Sequence, residues 1–375
     1  MYYRDDFYKE FKEEVKFHEY LDEVEDRTEW IRLPAKQLKV LDAVGNEEIC
    51  TPMEDGDMES ILTDTRQNTN LLLKFKDKGD RVCPLGTTAI ASLKGRARIQ
   101  GTALSDVSTT VLADILNKCL KVSKGNALIR ISEGKIRAVL SGDKKDYVVI
   151  PMPQVFMIAS AYVNDYQFNE FLYGYADHST ATLAWQIADD RLTKAYQDLL
   201  KQHGKETRGK LSAYIRITSS DVGASGANIF YSLLEGSHTV VLGEAMKVRH
   251  QNNSRGLEEF TSNMENIFDY YKEVLKNIGR LYDIQLKYPA NALGRIMDKQ
   301  GFGKKLIGET IENFKTKFGE EPCTAYEVYC GLCEVTFFAK RNDSSIKTLI
   351  QMEERVARCI SVRWSDYDIP GDYKY

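Results

Sequence analysis

The chain has 375 residues, 43% hydrophobic and 28% charged, with only 8 prolines, a composition that can bury a core without covalent staples. No run approaches the roughly 18–20 consecutive apolar residues of a membrane-spanning helix, and Met1-Tyr2-Tyr3-Arg4-Asp5-Asp6 carries no apolar signal segment, so no membrane partner is expected. Seven cysteines at irregular spacing suit reduced thiols in a cytoplasm better than a disulfide framework.

The net charge of -4 hides an asymmetry: residues 1–66 carry 19 Asp/Glu against 9 Lys/Arg, and residues 74–146 carry 15 Lys/Arg against 7 Asp/Glu. A basic stretch beside an acidic one reads as a polyanion site with an acidic cover, or as two segments that neutralise each other in one fold.

In chain order, residues 4–26 predict a charged helix, with Phe7, Phe11, Val15 and Leu21 near helical spacing. The polar, acidic stretch 45–70 predicts a loop or mobile connection. Residues 108–121 predict a helix with Val111, Leu112, Ile115, Leu116 and Cys119 on one face. A β-meander follows at 127–131, 136–140 and 147–150, its β-branched runs split by Gly-containing turns. A helix is expected at 154–163, and strands at 181–187, 211–218, 227–234 and 238–242. From Gly256 the period changes from 2 to 3.6. One long helix is expected at 257–286, with Phe260, Met264, Ile267, Tyr271, Leu275 and Ile278 on its apolar face. Further helices are expected at 290–299, 304–317, 323–340 and 344–360. Strands before helices, with little βαβ alternation, predict an α+β fold with an antiparallel sheet in the middle of the chain. The expected parts are an acidic N-terminal helix and mobile segment at 1–66, a sheet-rich basic core at 67–255, and helices at 256–375 packed on that core.

No complete catalytic, metal or cofactor motif is present. Cys330-Gly331-Leu332-Cys333 is a CxxC without a second pair, inside an apolar helical run, and reads as core thiols. The five histidines form neither HxxxH nor HExxH. Asp177-His178 lacks a nucleophile motif beside it. Gly301-Phe302-Gly303-Lys304-Lys305 lacks phosphate-loop spacing. Gly223-Ala224-Ser225-Gly226 is a GxxG loop with strand-like flanks rather than the helices of a KH domain. The basic stretch supplies the candidate nucleic-acid contacts: Lys94, Arg96, Arg98, Arg130, Lys135, Arg137, Lys144 and Lys145. The meander cations are expected on the solvent face of the sheet, where they can track phosphates, with Tyr and Phe to stack bases. The bland alternative is an ordinary solvated sheet face.

Several stretches carry a family resemblance. Ile136-Arg137-Ala138-Val139-Leu140-Ser141, then Asp146-Tyr147-Val148-Val149-Ile150-Pro151, resemble the entry segment of the phage/plasmid-like protein family, a domain of unknown function. Thr218-Ser219-Ser220-Asp221-Val222-Gly223-Ala224 is similar to its central stretch. Arg249-His250 and Thr324-Ala325-Tyr326-Glu327-Val328-Tyr329 match its later segments in order. The resemblance spans about residues 125–365. Ser219 stands where the family usually has Asn, and Leu234-Glu235-Gly236 replaces a "CTNG" signature, which marks a divergent member. The resemblance implies a mobile element and a host-cell cytoplasm, and transfers no active site. The expected function is non-enzymatic nucleic-acid handling by a phage or plasmid protein, such as single-strand binding or annealing, with a homo-oligomer as one form. A host or phage protein as partner, for example in inhibition of a host defence system, is the alternative. An enzyme built from distant residues is a third class.

Overall fold

The computed structural model describes residues 3–52, 57–99, 101–143, 147–207, 209–236, 238–250, 255–371 and 373. Strand β1 (Tyr8–Phe11) and helix α1 (Glu14–Asp26) come first. There follow β2 (Thr28–Pro34), β3 (Lys39–Asp42), α2 (Met58–Asn68), β4 (Leu71–Lys76), β5 (Asp80–Pro84), α3 (Thr87–Arg96), α4 (Thr109–Val122), β6 (Asn126–Ser132) and β7 (Lys135–Ser141). Next come α5 (Met152–Asn164), β8 (Asn169–Asp177), β9 (Ala181–Ile187), α6 (Asp190–Gln202), β10 (Leu211–Ser219), β11 (Ala227–Glu235), β12 (His238–Val240) and β13 (Met246–Val248). The C-terminal part is helical: α7 (Leu257–Glu265), α8 (Ile267–Leu281), α9 (Pro289–Lys299), α10 (Lys304–Phe318), α11 (Ala325–Arg341) and α12 (Ile346–Cys359). The fold is α+β, with antiparallel sheets in the middle and helices in the C-terminal part.

The main sheet runs β1-β8-β9-β10-β11-β12, with β13 also on β11, and its pairs are antiparallel. Alternate side chains of its strands are large and apolar, so it is covered by helices. Trp185, Tyr231, Tyr271 and Tyr329 are buried in this core, together with Phe11 and Phe17 from the N-terminal segment. A smaller core lies between residues 28 and 141. It packs two three-stranded sheets, β2-β6-β7 and β3-β4-β5, with α3 and α4 around Leu73, Phe75, Leu116, Ile129 and Val139. A parallel bridge from Leu85 to Ile136 joins the two small sheets.

Packing thus divides the chain elsewhere than composition does. Residues 3–26 return to the large core, because Phe17 is fully buried beside Phe156 of α5. The C-terminal helices share that core: Tyr271 donates to the Ile229 and Glu244 carbonyls, and Tyr329 to the Val241 carbonyl.

Several expectations need correction. The helix of 4–26 starts later, because β1 pairs with β8, Tyr8 opposite Asp177 and Phe11 opposite Gly174. The polar stretch 45–70 contains α2, capped by Asp57, which accepts from Ser60 N at 3.1 Å, and anchored by buried Ile61 and Thr65. Residues 53–56 of that stretch lie outside the described residues. Residues 147–150 form no strand. Tyr147 stacks on His250 and Val148 N donates to the His250 carbonyl, so the outer partner of β6 is β2 instead. The buried face of α4 is Leu112, Ala113, Leu116 and Leu120, and Val111 points outward. The long helix breaks at Asn266, whose side-chain amide donates to the Ser262 carbonyl and competes with the helical ladder.

Candidate nucleic-acid interface

Arg130, Lys135 and Arg137 are not on a solvent face. They are 4%, 0% and 4% exposed. The β6–β7 hairpin carries Ile129, Ile131 and Val139 into the small core, while its other face meets the N-terminal segment and the large body. The cations on that second face are therefore removed from water and must be paired. Arg130 is ion-paired with Asp221. Lys135 lies 2.5 Å from Asp64 and 3.2 Å from Asp5, and Arg137 lies 2.7 Å from the other oxygen of Asp5. Thr87 N donates to Asp5 as well. Burial pulls Arg137 below its ordinary pKa, with Asp5 opposing. The three residues join the two cores.

The remaining candidates cluster at the end of α3. Lys94 is half-buried, Arg96 donates to the Lys124 carbonyl, and Arg98 is exposed. Lys144 and Lys145 lie outside the described residues. Arg96 and Arg98 line a cleft of about 550 Å³ with Ser92, Leu140 and Gly223.

That cleft meets a second, of about 500 Å³, at Ala224, which lines both. Ala224 belongs to the GxxG loop between β10 and β11. The loop is held by Ser220 Oγ, which accepts from Val222 N at 3.3 Å and Ala224 N at 3.1 Å. Gly223 has φ +79°, and a Cβ on Gly226 would lie 2.3 Å from the Val248 carbonyl oxygen. Glycine is required at both positions, at the first by backbone conformation and at the second by close approach.

The second cleft has a polar floor and a basic rim. Thr182 and Thr218 meet there at 3.1 Å, and Arg216 donates to Thr218 from behind. Arg216 is 1% exposed and bonded to buried Glu353 at 3.1 Å. Burial works against its charge, but Glu353, Tyr214, Tyr173 and Glu354 together hold the guanidinium above its ordinary pKa. The rim carries Lys247, Arg249, Lys347 and Arg358 against Glu244 and Glu354. Lys347 is engaged by Asp177 at 2.6 Å and Lys247 faces Glu244 at 3.6 Å. Arg249 and Arg358 are exposed and make no ion pair among the described residues.

Sequence reasoning placed Arg249 only within the family resemblance and missed Lys347 and Arg358. A signal existed: Lys347, Gln351, Glu354 and Arg358 are spaced four, three and four apart, a polar stripe along one face of α12.

The other motifs do not assemble. Cys333 is buried and its thiol is pushed well above the ordinary range by burial, while Cys330 is half-buried. The Gly301 carbonyl is taken by Arg355 at 2.6 Å. Among the described residues, no group of three or more His, Cys, Asp or Glu is placed to hold a metal ion. Nor, among the described residues, is any helix long and apolar enough to cross a membrane.

The class defined by fold and site is an α+β protein with a glycine loop between two polar clefts of basic rim. Comparison with known proteins finds no family model, no curated protein and no solved structure that matches this chain.

Proposed function

We propose that the chain binds single-stranded nucleic acid, laid across the 223–226 loop with phosphates facing Arg96 and Arg98 on one side and Arg249 and Arg358 on the other. The observation that carries this reading is the meeting of two clefts at Ala224, with two exposed arginines on the rim free of ion pairs among the described residues. The floor supports backbone rather than base contacts. Phe230 lies against Arg216 at 4.6 Å and is 1% exposed, and Tyr175 is 3% exposed, so neither ring is open for stacking. Binding is then tolerant of sequence, as annealing or strand-protecting factors require. The role is non-enzymatic, in the host-cell cytoplasm and in the service of a mobile element.

The test is fluorescence anisotropy with a labelled single strand over a salt series. Each phosphate contact contributes about -0.7 to the slope of log affinity against log salt. Replacing Arg249 and Arg358 with Ala is expected to weaken binding equally across sequences and to flatten the slope by roughly 1.4. The Arg96→Ala, Arg98→Ala pair is expected to act in the same way. A wild type that fails to bind at low salt refutes the proposal and leaves a protein partner as the reading.

A further inference from the structure

Helix α4 carries a second apolar stripe besides the one packed into the small core. Leu112, Ala113, Leu116 and Leu120 point inward. Val111, Ile115 and Val122 are four and seven residues apart, a spacing that lines them up along the outer side of the helix. Val111 is 47% exposed and Val122 80%, while Ile115, and Cys119 at the border of the stripe, are half-buried. Val44 extends the patch past Val111. It is exposed, and its N–H and the Thr110 hydroxyl both donate to Asp42. Single exposed apolar residues need no explanation, but a contiguous line of them rimmed by charge marks an interaction face.

The order of residues along α4 names the occupant. Lys118 lies in line between Ile115 and Val122, with Asp114 beside it. The two pair at 2.7 Å and are 73% and 60% exposed, so their bond is weak and open to a further partner. Val111 and Val122 lie at equal distances from the middle of the helix, and so do Ile115 and Lys118. Laid antiparallel on its own copy about a two-fold axis at that middle, the stripe sets Val111 against the partner's Val122. Ile115 then meets the alkyl stem of the partner's Lys118. The same reversal brings each Asp114 beside the partner's Lys118, so two separate ion pairs become a ring of four charges. The two helix dipoles oppose each other as well. A parallel copy would instead set acid against acid and base against base.

We propose that α4 is a self-association surface, through which two copies of this chain pair antiparallel about a two-fold axis at the middle of the helix. The patch is small, so the pair is transient and forms in the micromolar range.

The experiment is sedimentation velocity of the full chain without nucleic acid, over about 1–200 µM at low salt. Association read in this way can fail without touching the strand-binding proposal, and the reverse. The wild type is expected to pass from monomer to dimer across the series. Val122→Glu puts a charge against the partner's Val111 and is expected to weaken the dimer at least about tenfold. The sharper test works in trans. Asp114→Lys alone and Lys118→Asp alone each place like charges across the two-fold axis, and each is expected to stay monomeric. Their equimolar mixture sets two lysines against two aspartates and is expected to dimerise, which no effect within one helix can produce. A monomeric wild type, a Val122→Glu chain that associates as well as the wild type, or a mixture no more associated than its components overturns the proposal. If the charge variants fail to fold, the wild-type series decides together with a short bismaleimide. Cys119 and its counterpart lie about 7–8 Å apart along the helix axes in this arrangement. A covalent dimer joined at Cys119, found by peptide mass, is the expected product, and its absence overturns the antiparallel pairing.

Discussion

Asp5 illustrates how far a single side chain can be from what its neighbours in sequence suggest. It stands among charged residues near the start of the chain, and its carboxylate answers two buried cations, Lys135 and Arg137. Removing one member of such a group leaves uncompensated charge in a dry place. Asp5→Ala is expected to cost about 3–5 kcal/mol, read by urea denaturation, while Arg98→Ala, on an exposed residue, is expected to stay within about 0.5 kcal/mol. Asp177 adds a pH dependence. Burial would raise its pKa, but bonds from Lys347, Ser179 and Thr180 prevail and hold it well below the ordinary 3.8. A carboxylate depressed by folding contributes stability above its unfolded pKa and loses that contribution as the pH falls toward the folded value. Asp177→Asn is therefore expected to lower Tm near neutrality, with the gap to wild type closing below pH 4. The charge of Arg130, Lys135 and Arg137 was legible in the sequence, but their partners were not. Asp221, Asp5 and Asp64 are distant in the chain, and alternation on a hairpin says which residues share a face without saying what covers it.

At the scale of elements, the loop between β10 and β11 links fold to function. Gly226→Ala pushes a methyl against the Val248 carbonyl, which moves either the loop or β13. A cost of about 1–3 kcal/mol is expected, together with weaker strand binding in the anisotropy assay. An Ala variant that binds as wild type would falsify the role given to this loop. The strands at 181–187, 211–218 and 227–234 were legible because apolar residues recur at every second position: Leu183, Trp185 and Ile187 in β9, Ala213, Ile215 and Ile217 in β10, Ile229, Tyr231 and Leu233 in β11. β8 was not, since Asn169-Glu170 open it outside the covered region and Gly174 interrupts its pattern. Gly174 has a packing reason: a Cβ there would lie 3.0 Å from the Phe17 ring. Helix α6 went unread although its cap is explicit, with Asp189 accepting from Arg191 N and Leu192 N. The strands β2, β4 and β5 and helix α3 also went unread, and with them the small core. In β2, β5 and α3 the apolar residues are few and become a core only when the elements meet, whereas β4, with Leu71, Leu72, Leu73 and Phe75, did carry a strand signal.

For the whole molecule, the N-terminal segment is the joint. Phe11, Phe17, Tyr20 and Leu21 lie in the large core while Asp5 grips the small one. Of the two readings of the charge asymmetry, the ion pairs of Asp5 and Asp64 with Lys135 and Arg137 follow the one in which the segments neutralise each other, and deleting residues 1–26 is expected to abolish cooperative unfolding by calorimetry rather than to expose a binding face. The joint also responds to pH. His178, beside Arg137 and Asp177, and His250, stacked on Tyr147, are both held below the ordinary 6.5, by burial first. Groups depressed in this way favour the unfolded state once the pH falls below the unfolded value. Tm is expected to drop between pH 7 and pH 5, and less steeply when both are changed to Gln. The same joint orders events on the ribosome. Residues 28–141 emerge in one stretch and hold the parts of their own core, so the small unit can close early from local contacts. Strand β1, made before it, has no strand to pair with until Gly174 has been synthesised. Through that interval the nascent chain carries a closed unit behind an unpaired, aromatic-rich leading strand. Such edges recruit other chains, so a message truncated before β8 yields a product that aggregates from its first residues, however well its middle has folded.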